Sequence, residues 1–224
     1  MVEYDRYGEI AMPVLLHIDS SPMGEDSISR RLTGEFVERW RARNPRGEVL
    51  TRDLAGIAIP SVDAAWISAN LKPRELRTQQ ENGILALSTE LTREVLDADE
   101  YVIGIPMHNW GPSSSFKLWA DQIVRFGETV VVTPSGPKGT LDEKKATFLL
   151  TAGRRYGPLS AAGATNHLEP WLRTFFGSLG VSDMRVVFAD GTAQVKYGKV
   201  DREAFLAPHL EAVQSLFAES CSRS

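Results

Sequence analysis

Tyr101-Val102-Ile103-Gly104-Ile105-Pro106-Met107-His108-Asn109-Trp110-Gly111-Pro112-Ser113-Ser114-Ser115-Phe116-Lys117-Leu118-Trp119-Ala120-Asp121 is the stretch that decides the fold. Its opening apolar run, Tyr101 to Ile105, is too short for a helix and rich in strand formers, which predicts a buried strand. Pro106 has no N–H to give to a ladder, so the strand is expected to end there. A loop from Met107 to Pro112 follows. Ser113, Ser114 or Ser115 then caps a helix whose apolar contacts come from Phe116, Leu118, Trp119 and Ile123. In an open α/β sheet, the loop leaving the carboxyl end of a strand is where ligands bind. This loop joins two flat side chains, His108 and Trp110, to the amide of Asn109, a composition that suits a planar heterocycle better than a bare phosphate.

The same alternation extends in both directions. Pro13 to Ile18 reads as the first strand, and residues 19–29 as a hydroxyl-rich loop opening a helix from about Ser27 to Arg43, with Leu32, Phe36, Val37 and Trp40 on one face. Asn44-Pro45-Arg46-Gly47 stops that helix, and Glu48 to Asp53 alternates like an edge strand. Leu54 to Pro73 shows little periodicity and is expected to be a long functional or interface loop. Arg74 to Leu96 reads as one long amphipathic helix. Beyond the central unit, Thr129 to Gly139 forms a small extension. Lys144 to Thr151 is the fourth strand, Pro170 to Leu179 a helix, Met184 to Ala189 the fifth strand and Arg202 to Ala218 the closing helix. Alternating β and α elements imply a parallel sheet with right-handed crossovers. Five strands predict the flavodoxin-like order 2-1-3-4-5, a three-layer sandwich with helices on both faces and the ligand at the switch between strands one and three.

A chain of 224 residues is one large domain or two small ones, and no internal linker argues for two. The expected organisation is a disordered N-terminal extension over residues 1–12 and a single domain over 13–219. The 25 lysines and arginines against 29 acidic residues leave a formal charge of −4. That balance gives no basic footprint for nucleic acid or an anionic membrane. Cys221 is the only cysteine, so it has no internal disulfide partner, and a chain end is a poor place for a nucleophile. No stretch is apolar enough to span a bilayer, and the start lacks the apolar core of a signal peptide, so a cytoplasmic protein is expected.

Three loops should meet at one sheet edge, those after strands one, three and four. In the first, helix-start N–H groups and the hydroxyls of Ser21, Ser27 and Ser29 have the chemistry of a phosphate site, although plain helix capping explains the same serines. Neither Gly-x-x-x-x-Gly-Lys-Ser/Thr nor Gly-x-Gly-x-x-Gly is present, which excludes a nucleoside triphosphatase loop and weighs against a dinucleotide fold. No Gly-x-Ser-x-Gly elbow supports a serine hydrolase, and no histidine–carboxylate spacing supports a metal.

These motifs resemble those of the FMN-dependent NADH:azoreductase and NAD(P)H:quinone reductase family. Asp19-Ser20-Ser21-Pro22 with Ser27 and Ser29 is similar to the family's opening. Pro106-Met107-His108-Asn109-Trp110 with Phe116-Lys117 and Asp121 resembles its Pro-Met-Tyr-Asn-Phe … Leu-Lys-x-x-x-Asp segment. Leu172-x-x-Phe175-Phe176-Gly177-x-Leu179-Gly180-Val181, and the Gly136-Pro137-x-Gly139 turn, match as well, so the likeness spans most of Pro13 to Ala218. The resemblance implies that Ser21, Ser27, Ile28 and Ser29 hold the FMN phosphate. It implies that Met107, His108, Asn109 and Trp110 hold the isoalloxazine ring. The third loop, Ser-Arg-Gly-Gly in close relatives, falls on Ala152, Gly153, Arg154 and Arg155, where two arginines replace glycines that let the backbone approach the flavin. The family chemistry is two-electron hydride transfer from NADH or NADPH to the flavin, then to a quinone or azo acceptor, in a homodimer whose neighbour walls the site. Leu54 to Pro73 is the candidate wall.

Such chemistry rests on the cofactor and needs no dedicated acid or base. His108 is the one candidate catalytic side chain, either touching the ring and donating a proton or simply an exposed loop histidine. His17 is expected to be packed and hydrogen-bonded, His167 and His209 to lie at the surface, and Lys117 and Asp121 to form a solvated ion pair. Arg125, Arg154 and Arg155 are candidates for meeting a 2′-phosphate on the nucleotide. Two other readings share the fold: a flavodoxin-like one-electron carrier, and a flavin-free scaffold.

Overall fold

The computed structural model describes residues 12–157, 160 and 162–218; residues 1–11, Pro158 and Cys221 lie outside the described residues. The main sheet comprises β1 (Val14–Asp19), β2 (Glu48–Asp53), β3 (Glu100–His108), β7 (Lys145–Ala152) and β8 (Asp183–Asp190), all parallel, in the order β2-β1-β3-β7-β8. This is the expected 2-1-3-4-5 order, because β7 and β8 are the fourth and fifth strands of that sheet. The intervening numbers belong to short pairs: β4 (Gly111–Pro112) folds back on β3, and β5 (Val130–Thr133) pairs with β6 (Gly136–Gly139) in a separate hairpin.

Period-two alternation assigns each strand residue to a face. Leu15, Val102, Leu149 and Val187 point to one side, where α1 (Ile28–Arg43) and α8 (Arg202–Ala218) cover them with Leu32, Phe36, Trp40, Leu206 and Val213. Leu16, Ile18, Tyr101, Ile103, Ile105, Phe148 and Leu150 point to the other. There α4 (Ala86–Asp97), α5 (Ser114–Gln122) and α6 (Leu168–Ser178) bring Leu91, Val95, Phe116, Trp119, Leu172 and Phe176. The central strands are mostly apolar because both faces are covered.

Three local expectations need correction. β3 does not end at Pro106, which pairs in register with Thr151 of β7. Gly104 turns its carbonyl towards the β1 side, where Ser20 N–H donates to it at 3.1 Å, and alternation puts Pro106 on that same side. β1 has already ended at Asp19, so the missing N–H of Pro106 faces no strand. Residues 54–73 are not all loop: α2 (Ala64–Leu71) forms there, capped by Asp63 accepting from Trp66 N–H. The long helix over 74–96 is broken into a single turn at Arg74–Leu76, α3 (Gln79–Ile84) and α4. Thr78 and Glu81 make a reciprocal capping box, and a cap of this kind opens a new helix rather than continuing an old one. A last short helix, α7 (Ala193–Lys196), was not anticipated.

Candidate functional site

The carboxyl ends of β1, β3 and β7 bring the three loops together. In the first, Ser21, Ser27 and Ser29 are all buried, although they carry hydroxyls. Ser27 caps α1 by accepting from Arg30 N–H, and its Oγ lies 3.1 Å from Ser29 Oγ. Ser21 Oγ accepts from Met23 N–H at 3.3 Å. Ile28 is the first residue of α1, so the helix begins under the serines with its positive dipole end towards them.

What holds this loop is a side chain that sequence reasoning did not single out. Arg30 donates from Nε and Nη2 to the Ser21 carbonyl at 3.1 and 2.8 Å, and from Nη2 to Asp53 Oδ1 at 2.6 Å. It also approaches Asp19 Oδ2 at 3.7 Å. One guanidinium thus ties the ends of β1 and β2 to the loop. The Asp53 hydrogen bond raises its pKa and, reciprocally, Arg30 holds Asp53 below the usual carboxylate range. Asp19 in turn accepts from Thr33 Oγ1 at 2.9 Å and has His17 Nε2 at 3.1 Å, off hydrogen-bond geometry. His17 is packed, as expected, but the hydrogen bond expected of it is not made at Nε2, which is buried without a partner.

Gly104 permits this assembly. A Cβ there would stand 2.7 Å from Asp19 Oδ1 and 2.9 Å from Thr33 Cγ2, so glycine lets α1 sit directly on β3. A second link joins the loops themselves, because Ser113 Oγ and Ser115 Oγ donate to the Ser20 carbonyl at 3.5 and 3.3 Å. Ser113 is also the cap of α5, accepting from Phe116 N–H.

The second loop is tighter than expected. Met107 and His108 pair with Pro112 and Gly111 across a two-residue turn at Asn109 and Trp110. Both turn residues have positive φ, 47° and 70°, the pattern of a type I′ hairpin. Asn tolerates that region, but a Trp there is strained. His108, Asn109 and Trp110 are exposed, with Met107 partly buried beneath them. Lys117 and Asp121 form the solvated pair, at 2.6 Å.

The third loop is fixed from behind. The Ala152 carbonyl accepts from Gly191 and Thr192 N–H, that of Gly153 from Ala193 N–H, and that of Arg154 from Gly191 N–H, at 2.9–3.1 Å. None of these peptides is cis. In a trans peptide the next N–H points opposite to the carbonyl, so the N–H groups of Gly153, Arg154 and Arg155 face away from residues 191–193. Arg154 and Arg155 have no positive φ, so arginine fits the backbone without strain, and both side chains are exposed. Asp190 Oδ2 accepts from Tyr156 and Gly157 N–H, and Tyr156 stacks on Phe188 with rings 11° apart. Asp190 lies more than thirty residues beyond the loop it anchors, and no local signal marks it.

Arg125, the third candidate for a nucleotide phosphate, is not presented at the strand ends. It is fully buried and bonded to Ser88, Thr89 and Glu128. Of the remaining histidines, His167 is exposed, but His209 is half-buried beside Phe205, and burial lowers its pKa. Among the described residues no group of histidine, cysteine and acidic side chains is placed to hold a metal, and no helix is long and apolar enough to cross a membrane.

A five-stranded parallel sheet with helices on both faces and its loops gathered at the β1–β3 switch defines a flavodoxin-like α/β protein. The chain belongs to that family: the family model described as "Flavodoxin-like fold" matches residues 14–216. It is 61% identical to a Burkholderia lata protein named FMN-dependent NADH:quinone oxidoreductase 3, over 91% of this chain and 99% of the relative. It is 46% identical to an Acidobacterium capsulatum FMN-dependent NADH:quinone oxidoreductase, over 92% and 100%. In fold it is similar to an FMN-dependent NADH-azoreductase from Bacillus anthracis solved in complex with FMN, with a TM-score of 0.80 at 23% identity, covering 93% of this chain and 99% of that one.

Proposed function

We infer that the chain is an FMN-dependent NADH:quinone oxidoreductase that also reduces azo compounds. The observation that carries this reading is the meeting of three loops of complementary chemistry at one strand edge, in a chain similar over nearly its whole length to relatives bearing that name. The residues fit the cofactor. Buried hydroxyls of Ser21, Ser27 and Ser29 with the N-terminus of α1 suit a phosphate dianion, and Arg30 keeps the loop in place. The space beside Gly24 and Gly153 is open, since a Cβ on either would meet nothing closer than 3.9 Å.

Bound FMN supplies the redox chemistry, taking hydride from NADH and passing two electrons to the acceptor. The chain orients and tunes it. The ring would rest on Met107, His108, Asn109 and Trp110, with the outward N–H groups of Gly153, Arg154 and Arg155 near its polar edge. N–H donors placed there stabilise the negative charge that builds on reduction. That placement answers the change from glycine to arginine, because the contacts use backbone and the arginine side chains need not enter. His108 is exposed at the hairpin, where its imidazole can give a proton to a quinone oxygen or azo nitrogen.

Residues 13–219 act as one flavin-binding unit in the cytoplasm. We take the working form as a homodimer: Ile67, Leu71, Leu76 and Ile84 on the 54–85 excursion are large exposed apolar residues in one region, as expected of a subunit contact. The test is an anaerobic visible spectrum of the FMN-loaded protein, with NADH, then NADPH, then a simple quinone added. Bleaching by NADH and recovery with quinone supports both half-reactions. Flavin that stays oxidised with both nucleotides would fit an electron carrier, and absence of retained flavin would overturn the assignment.

A further inference from the structure

Away from the strand ends, a cleft of about 400 Å³ is lined by Arg74, Arg77, Asn82, Ala86, Thr89, Arg125 and Glu128. Three guanidinium groups gather here with one carboxylate. Arg125 has no exposed surface; it donates to Ser88 Oγ at 2.9 Å, Thr89 Oγ1 at 3.2 Å and Glu128 Oε1 at 2.9 Å, while its Nε is buried without an acceptor. Arg77 uses its N–H groups on the carbonyls of Ala69, Asn70 and Lys72 at the end of α2 and forms no ion pair with a carboxylate among the described residues. The side chain of Arg74 has neither hydrogen bond nor ion pair among the described residues. Burial lowers the pKa of Arg125; Glu128 opposes this, and the like charges of Arg77 and Arg74 add to it.

Concentrating cations in this way is unfavourable unless something answers them. Three cations and one carboxylate leave two uncompensated positive charges. We propose that this cleft is an oxyanion site that takes a dianionic phosphate group, bound by Arg74 and Arg77 with Thr89 and Asn82 at its polar wall and Arg125 supplying charge from below. Guanidinium forks match phosphate geometry. The site is separate from the flavin phosphate loop and shares no residue with it.

The position gives binding a consequence. Asn70 donates to the Val124 carbonyl at 3.0 Å and accepts from Phe126 N–H, while Trp66 Nε1 donates to Gln122 Oε1 at 2.8 Å. These contacts latch α2 to the end of α5, and Arg77 caps α2 from the cleft side. An anion between Arg74, Arg77 and Arg125 therefore tightens the 54–85 excursion against the body of the protein.

The experiment is calorimetric titration of inorganic phosphate into FMN-loaded protein against chloride of matched ionic strength, so that the flavin phosphate loop is already filled. The expected result is saturable binding of one phosphate per chain and a higher melting temperature than in chloride. Arg74→Gln should weaken binding about tenfold, the effect of losing one charge-assisted contact, with its melting temperature in chloride unchanged because Arg74 has no partner to lose. Glu128→Gln should bind phosphate more tightly than the parent, since it removes the one opposing charge, and phosphate should restore the stability that variant loses. Absence of phosphate binding above chloride overturns the proposal, as does equal affinity in Arg74→Gln or weaker affinity in Glu128→Gln. Binding seen only on diluting a dimer into monomers would also overturn it, by making the cations a contact for acids of a second copy.

Discussion

Gly104→Ala tests whether the serine loop after β1, the proposed phosphate site, depends on the close seat of α1 on β3. The added methyl would sit 2.7 Å from Asp19 Oδ1 and 2.9 Å from Thr33 Cγ2, both inside normal contact, and 3.5 Å from Ser29 Cβ. Neither near neighbour is a free end. Asp19 closes β1 and accepts from Thr33, so relief must either lift α1 or break that 2.9 Å hydrogen bond. Overpacking of a tight site costs about 1–3 kcal/mol, and a buried hydrogen bond to a charged group is worth about 1.5–3 kcal/mol. These alternatives do not add, so the expected loss of unfolding free energy is about 2–3 kcal/mol. The displacement falls on the first turns of α1, where Ser27 and Ser29 stand, so FMN affinity should drop about tenfold or more, while riboflavin, lacking the phosphate, should lose less. Urea unfolding gives the first quantity and quenching of free-flavin fluorescence the second. Gly34→Ala is the control on the same helix: a Cβ there meets nothing within 4 Å, and the change should stabilise by about 0.5–1 kcal/mol. If Gly104→Ala changes stability by less than about 0.5 kcal/mol and leaves FMN affinity alone, the reasoning is wrong.

Three further outcomes are expected. At Trp110, with φ 70°, the glycine variant should be more stable than the alanine variant by about 1 kcal/mol, the reverse of the usual order; equal urea midpoints would remove the strain argument. Asp190→Ala leaves the N–H groups of Tyr156 and Gly157 without their acceptor, so stability should fall by about 1–3 kcal/mol and amide exchange at those residues should accelerate, with unchanged exchange counting against the anchor. Burial raises the pKa of Glu100 against the attraction of Arg185 and Lys145 and the hydrogen bonds from Trp40 and Arg185. The folded state then holds its proton longer than the unfolded chain, so the contribution is fully present below the unfolded value of 4.5 and is lost as pH rises through the folded one. Glu100→Gln should flatten that decline in urea midpoints measured between about pH 4 and 7, and parallel profiles for the two proteins would refute it.

Much of the architecture was legible because it follows from local pattern. The apolar run at Tyr101 needs two covered faces, Leu32, Phe36, Val37 and Trp40 repeat at helical spacing, and β–α alternation with right-handed crossovers leaves few topologies. The boundaries Glu48–Asp53 and Arg202–Ala218 agree with the sequence reading residue for residue. The misplaced breaks also had local signals: Thr78-x-x-Glu81 is a capping box, and Asp63 caps three residues ahead of Trp66. Periodicity outweighed them, since Leu87, Leu91 and Val95 repeat at helical spacing and the helix reading they support extends back across the breaks.

The sequence by itself determined the sheet order, the three loops and the residue types in them, because strand and helix periods and turn chemistry act between neighbours in the chain. Tertiary structure alone decided how those loops are held. Arg30 joins Asp53 to Ser21, Ser113 and Ser115 reach the Ser20 carbonyl, and Asp190 and residues 191–193 hold the loop after β7 so that its N–H groups turn outward. It also moved Arg125 from a candidate nucleotide contact to the floor of a separate cationic cleft. The contacts that hold the loops depend on which strands become neighbours, and hydrogen bonds spanning 9 to 95 positions leave no periodic trace in the chain.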